Sequence, residues 1–200
     1  MSESGDKTDG APVLRGLEEA EKASRTRSLP PVHLWNPPFQ GEIDMRIRRD
    51  GVWEYLGTPI NRPAMVRLFS TILRREPDGR YVLVTPVEMV GITVEDAPFI
   101  AVELAVRGEG PSQDLVFRTN VDDIVTAGEG HAIRLVYDPK TGDPRPYLHV
   151  RAGLEALIAR PVYYELAELA SEHDMGGVPH VGVWSGGVFF PFVSAEDLSP

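Results

Sequence analysis

The sequence predicts an α+β fold: two repeated lobes of antiparallel β-hairpins, each packed with a helix. Three observations carry this reading. Short segments alternate apolar and polar residues, and the Gly- and Pro-rich turns between them are too short for crossovers. An apolar stretch at helical spacing follows Arg62-Pro63. The pattern Ile-x-Arg-Pro recurs, as INRPAMVRLF at 60–69 and IARPVYYELA at 158–167, so both halves read as hairpin, Ile-x-Arg-Pro helix, hairpin, with an extra hairpin at about 98–120 between them.

Taken in order, residues 1–29 form a flexible N-terminal tail, polar and acidic over 1–13, with a short, weakly amphipathic helix at Leu14–Ala23. The N-terminal lobe spans 30–97. SLPPVHLWNPPF is too proline-rich for a helix and lies extended, pinned by Leu34, Trp35 and Phe39. Met45 and Ile47 alternate with Asp44, Arg46 and Arg48 before an Asp50-Gly51 turn, and VWEYL returns. Pro63 then opens a helix over AMVRLFSTILRR, with proline at the first helical position where its missing N–H costs nothing, and Pro77-Asp78-Gly79 ends it. RYVLVTPV and MVGITVED make the next hairpin or bent strand.

The C-terminal lobe spans 98–193. FIAVELAV pairs with DLVFRT, and HAIRLVY with PYLHV around DPKTGD. Residues 151–172 read as one or two helices interrupted at Pro161, and VGVWSGGVFFPFV closes the lobe as a hairpin on Gly186-Gly187, leaving 194–200 as a tail.

Composition bounds the function. At 200 residues with 42% apolar content, the chain can fill the core of one domain or of two small ones. It has no cysteine, so disulfides, thiolate metal sites and thiol nucleophiles are excluded. The start has no signal-peptide pattern and no segment approaches the roughly 20 apolar residues of a membrane span, so cytoplasm is the expected location, with no membrane partner. A net charge of −10 argues against a long nucleic acid partner while leaving small anions open. The charge is uneven: residues 44–80 carry eight Arg against five acids, and residues 81–130 two Arg against nine.

Candidate chemistry centres on Arg62 and Arg160. A cation at a helix start is opposed by the macrodipole, so each needs compensation, either from acids such as Glu88, Glu95 or Asp96 or from an anionic ligand shared with free backbone N–H groups. Arg46 and Arg48 on the first hairpin add to the same charge. Glu88 shares parity with Val90, Ile92 and Val94, which aims a carboxylate inward, either as half of a buried ion pair or as a perturbed acid. Arg118, Asn120 and Asp122 share a strand face that ends in turn formers, offering hydrogen bonds to a ligand or forming an ordinary Asx turn. His149 and Arg151 flank the end of a strand, with Tyr147 on the face of His149. Trp53, Tyr147 or Trp184 would stack a base. HExxH, GxSxG, Walker and GxGxxG patterns are absent; Ser185 in GVWSGG sits in a hairpin turn, and His173 and His180 bracket a loop without metal geometry. Neither a cofactor, a metal nor a catalytic residue is assigned.

GEIDMRIRRDGVWEYLGTPI, GRYVLVTPVEMVGITVEDAPF, LVFRTNVDD and PYLHVRAGLEALIARPVYYELAELA together resemble a bacterial family, domain of unknown function 1285, over about residues 30–193. The resemblance implies two repeated lobes, the second loosely similar to pleckstrin-homology domains, a ligand site between them, and a signalling role with a nucleotide-derived ligand; it supplies no catalytic residues. The leading expectation is thus a module holding a small anionic ligand through Arg62, Arg160 and neighbouring strand arginines. Its rivals are an enzyme with Glu88 as general base and a protein-interaction scaffold without a small ligand.

Overall fold

The computed structural model describes residues 29–194; the expected tail, the helix at Leu14–Ala23 and residues 195–200 lie outside the described residues. The chain divides after Asp96 into two compact units, each with its own sheet and core.

In the first unit, a 3-10 turn at Val32–Leu34 precedes strands β1 (Phe39–Ile47), β2 (Trp53–Tyr55) and β3 (Thr58–Pro59), helix α1 (Pro63–Thr71), and strands β4 (Leu73–Arg75), β5 (Tyr81–Val84) and β6 (Met89–Val94). They form one sheet in the order β3-β2-β1-β6-β5-β4. The expected turn at Asp50-Gly51 joins β1 to β2, with Gly51 at a φ of 82° that its missing Cβ makes inexpensive. Met45, Ile47, Trp53, Phe69, Ile72, Leu83 and Val84 fill the core, where Trp53 stacks on Phe69 at 6.2 Å.

Helix α1 is shorter than its sequence pattern suggests. The apolar period runs on to Leu73, but the hydroxyls of Ser70 and Thr71 donate to the carbonyls of Arg67 and Leu68, both at 2.7 Å, and so compete with the helical ladder. Leu73 then leaves the helix to pair with Leu83, and Pro77-Asp78-Gly79 is the turn of the β4–β5 hairpin rather than a helix stop.

The second unit runs through β7 (Phe99–Arg107), β8 (Asp114–Thr119), β9 (Ile124–Thr126), β10 (Ile133–Tyr137), β11 (Pro144–Arg151), β12 (Leu154–Ile158), α2 (Arg160–Glu168), β13 (Ser171–Asp174), β14 (Pro179–Ser185) and β15 (Val188–Ser194). The first six form a sheet in the order β10-β11-β12-β7-β8-β9, and the last three a separate sheet. Strand β12 corrects the expectation of helix throughout 151–172. Leu154, Ala156 and Ile158 are buried and alternate with partly exposed Glu155 and Leu157, the period of a strand. Ala152 and Gly153, with φ of 44° and 77°, make the tight turn that folds β12 back on β11.

The two six-stranded sheets share one topology. In each, two three-stranded meanders meet through a parallel pair formed by the first and last strands, β1 with β6 and β7 with β12. The repeat is therefore six strands long, and the hairpin at 98–120 opens the second copy instead of separating the halves. It also displaces the Ile-x-Arg-Pro correspondence: α1 links the third and fourth strands of its sheet, whereas α2 follows the sixth. The expectation of purely antiparallel sheets fails at the two central pairs, because the strands that meet there are separated by the other four of their sheet, which removes any limit set by short connections.

The β14–β15 hairpin turns on Gly186-Gly187 as expected, with φ of 58° and 74°. It docks on the larger sheet of its own unit through Ser185. That buried hydroxyl accepts from Leu115 N–H and donates to the Ala127 carbonyl, both at 2.8 Å, while Gln113 reaches the Trp184 carbonyl at 2.9 Å. Among the described residues no helix is long and apolar enough to cross a membrane.

Candidate functional site

In the first unit, Arg46 on β1 and Arg48 just past its end are both exposed, and acids already hold them. Arg46 pairs with Glu95 at 3.3 Å; Arg48 pairs with Asp50 at 2.8 Å and Glu54 at 3.1 Å. The hydrogen bond to Glu54, then the charge of Asp50, pushes the Arg48 guanidinium above its ordinary pKa. A shallow depression of about 220 Å³ beside them is lined by Asp44, Arg46, Glu54 and Gly57, with acids outnumbering the arginine.

Arg62 is different. It caps α1 in an extended conformation (φ −109°, ψ 99°), makes no side-chain cap, is exposed, and has no ion pair among the described residues. Glu88 is buried, as its parity required; its main-chain N–H and C=O close a turn with Thr85. Trp53 cannot stack a ligand base, since it is 1% exposed inside the core.

In the second unit, Arg118, Asn120 and Arg151 do come together, around the turn at 119–123. Arg118 bonds Glu103 and, at 2.9 Å, Asp122; Arg151 bonds Asp123 and lies 4.9 Å over the Phe99 ring. The bond to Glu103 raises the Arg118 pKa, and the same bond lowers that of Glu103. Asn120 latches the turn to β7: its Oδ1 accepts from Ile100 N–H at 3.0 Å, and its own N–H donates to the Ile100 carbonyl at 2.8 Å. Thr119 Oγ1 accepts from the Val121 and Asp123 amides beneath it. Two guanidiniums thus face three carboxylates.

His149 is equally occupied. Its Nδ1 lies 2.9 Å from the Gly130 carbonyl and its Nε2 accepts from Gly153 N–H at 3.1 Å, which assigns the proton to Nδ1. Tyr147 is covered by Arg134 at 4.4 Å, itself forked onto Glu155 at 2.6 and 2.7 Å. Among the described residues Arg160 takes no carboxylate; its Nε donates to the Tyr164 hydroxyl at 2.9 Å, and that bond raises its pKa. Trp184 is half-buried against His173 at 4.8 Å and Phe189 at 5.2 Å. The acids proposed for Arg62 and Arg160 are not their partners: Glu95 belongs to Arg46, and neither helix-start arginine is bridged to a carboxylate among the described residues.

Sequence reading missed Arg74. Its guanidinium holds the carbonyls of Val32 and Trp35 at 2.8 and 2.7 Å and Glu76 at 2.5 Å, strapping the proline-rich segment to β4. Placed in an expected helix, it carried no signal; as a strand residue, it does. No group of His, Asp and Glu with metal-binding geometry occurs among the described residues.

Residues 30–97 match the family described as Domain of unknown function (DUF1285), N-terminal domain, and residues 98–192 match Protein of unknown function (DUF1285), C-terminal domain. A crystal structure of a DUF1285 family protein from Silicibacter pomeroyi DSS-3 is 56% identical, covering 93% of this chain and 99% of that chain, with a TM-score of 0.81. Another, from Shewanella baltica OS155, is 29% identical over 63% of this chain and 91% of that chain, with a TM-score of 0.49. Among curated proteins none matches the chain. The chain belongs to the DUF1285 family.

Proposed function

We propose that this DUF1285 protein is a protein-interaction module, and that its arginine clusters are architecture rather than an anion site. One observation supports this reading: Arg46, Arg48, Arg118 and Arg151 are each held by the protein's own carboxylates. A phosphate would have to displace those acids and leave them uncompensated beside it, on a chain of net charge −10. Asn120 and His149, the polar groups meant to orient a ligand, are spent on backbone partners.

The expected anion-binding role keeps one foothold. Arg62 stands exposed at the start of α1 without an ion pair among the described residues, where an anion would relieve its opposition to the helix dipole. Isothermal titration of nucleotides, cyclic dinucleotides and nucleotide sugars at low salt separates the two readings. The interaction-module reading predicts no saturable heat. Saturable binding that disappears in a folded Arg62→Ala variant would overturn it in favour of a nucleotide-responsive, signalling role.

A further inference from the structure

Strand β7 is paired on both sides only at its base. Its first residues pair with β12 at Phe99↔Ala156, Ile100↔Leu157 and Ala101↔Ile158, and the Ala159 N–H donates to the Ala101 carbonyl at 3.0 Å. Beyond a bulge at Ala101–Glu103, β7 continues to Arg107 with β8 on one side and, among the described residues, no backbone partner on the other. The segment is exposed on both faces: Val102 is 36% and Val106 42% accessible, and Ala105 and Arg107 are also exposed.

The direction of its free main-chain groups follows from β8. Leu115 gives its N–H to Ser185 Oγ and accepts from Ala127 N–H, so both of its groups point away from β7. Val106 lies opposite Leu115 and must likewise face away from β8; by the alternation of an antiparallel pair, so must Leu104. The open edge therefore presents the N–H and C=O of Leu104 and Val106 as two donors and two acceptors. Natural sheets suppress such edges with like charges, prolines or a covering loop. Here the charges flanking the edge are opposite in sign, Glu103 and Arg107, two residues either side of Ala105.

We propose that this edge is where two copies of the chain pair, antiparallel and two-fold symmetric, with Ala105 on the axis. In that register Leu104 of each copy exchanges both main-chain hydrogen bonds with Val106 of the other, so all four outward groups are satisfied. Glu103 of each copy comes opposite Arg107 of the other, a cation with no ion pair of its own among the described residues. On the opposite face, Leu104 of each copy meets Val106 of the other, an apolar pair on either side of the axis. Moving the axis by one residue keeps some hydrogen bonds but sets Glu103 or Arg107 against Ala105, so the charges select the register. A closed isologous contact of this kind consumes the edge instead of propagating it. The pairing rests on the interaction-module reading and names the partner as a second copy.

Sedimentation equilibrium of the full chain across a wide concentration range tests the pairing. The mean mass rises toward twice that of the chain in wild type. Val106→Pro removes only an outward N–H, leaves the β8 ladder intact, and abolishes the rise. Arg107→Glu sets two like-charge pairs face to face across the junction and weakens association about tenfold, as does Glu103→Arg, which also gives up the pair with Arg118 in its own sheet; mixing the two variants restores association, since every pair across the junction of the mixed dimer is then opposite in sign. If Val106→Pro fails to fold, the mixing experiment alone decides. A chain monomeric throughout, a dimer indifferent to Val106→Pro, or variants that do not rescue one another would overturn the proposal. Each of these leaves the anion titration untouched, whereas saturable anion binding would sink the functional reading without bearing on the dimer.

Discussion

Ser185 shows how much one buried hydroxyl can organise. Its oxygen serves Leu115 and Ala127 at once, so Ser185→Ala strands a buried donor and a buried acceptor. The expected loss is about 2 to 4 kcal/mol, two unsatisfied groups at the lower end of their individual cost, read by urea unfolding; Ser185→Thr or Ser185→Cys restores only part of it. Gly182 is bound by space rather than by polarity. A Cβ there would stand 2.2 Å from the Phe190 carbonyl oxygen at the β14–β15 bulge, so Gly182→Ala forces the hairpin apart and lowers stability by about 1 to 3 kcal/mol. Tyr163 supplies a pH dependence. Burial, then the neighbouring Tyr137 and Tyr164, raises its phenol above the usual 10.0. Because the folded pKa is the higher one, the stability it contributes is complete below pH 10.0 and is lost as pH rises toward the folded value. Thermal melts of wild type and Tyr163→Phe should therefore keep a constant difference near neutrality, and above pH 10.0 the wild-type melting temperature should fall relative to that of the variant.

At the scale of elements, Arg74 decides whether the proline-rich segment stays on the sheet. Arg74→Met should retain the strand packing while releasing the carbonyls of Val32 and Trp35, so that hydrogen exchange speeds up over 32–35 while β5 and β6 keep their protection. How far elements could be read from sequence depended on whether a local signal agreed with its tertiary setting. The hairpins at Asp50-Gly51 and Gly186-Gly187 were legible because the turn chemistry and the flanking alternation point the same way. The end of α1 was not, because Leu68, Phe69, Ile72 and Leu73 satisfy helical spacing, while the competing hydroxyl bonds of Ser70 and Thr71 leave no mark in an apolar pattern. Strand β12 was missed for the opposite reason: LEALI suits a helix by propensity, and only its place between β11 and β7 makes it a strand. The candidate site shows the same division. That Arg118, Asn120 and Asp122 lie together followed from one strand end and turn; that Glu103 occupies Arg118, and that Arg151 arrives from β11 to bond Asp123, did not, since both pairings reach across strands.

For the molecule as a whole, the shared topology of the two six-stranded sheets replaces the Ile-x-Arg-Pro correspondence as the sign of internal repetition. The equivalence assigns β7 to β1, and both lead the parallel pair of their sheet. They differ in the partner on that side: β1 stays with β6 as far as Ile47, whereas β7 outruns β12 by six residues, from Val102 to Arg107. That overhang is where the second unit departs from the symmetry of the pattern, and it is where the account locates the protein's contact with a second copy. The chain has no cysteine, so one introduced thiol reports on this contact without background. In a two-fold pairing centred on Ala105, the two Cβ atoms of that residue face each other at roughly 4.5 to 5.5 Å, near enough for a disulfide with a small shift. Mild oxidation of Ala105→Cys is predicted to yield a disulfide-linked dimer in high yield, and adding Val106→Pro should prevent it. A thiol that stays free under oxidation, or one that crosslinks equally well in the Val106→Pro background, would contradict the account.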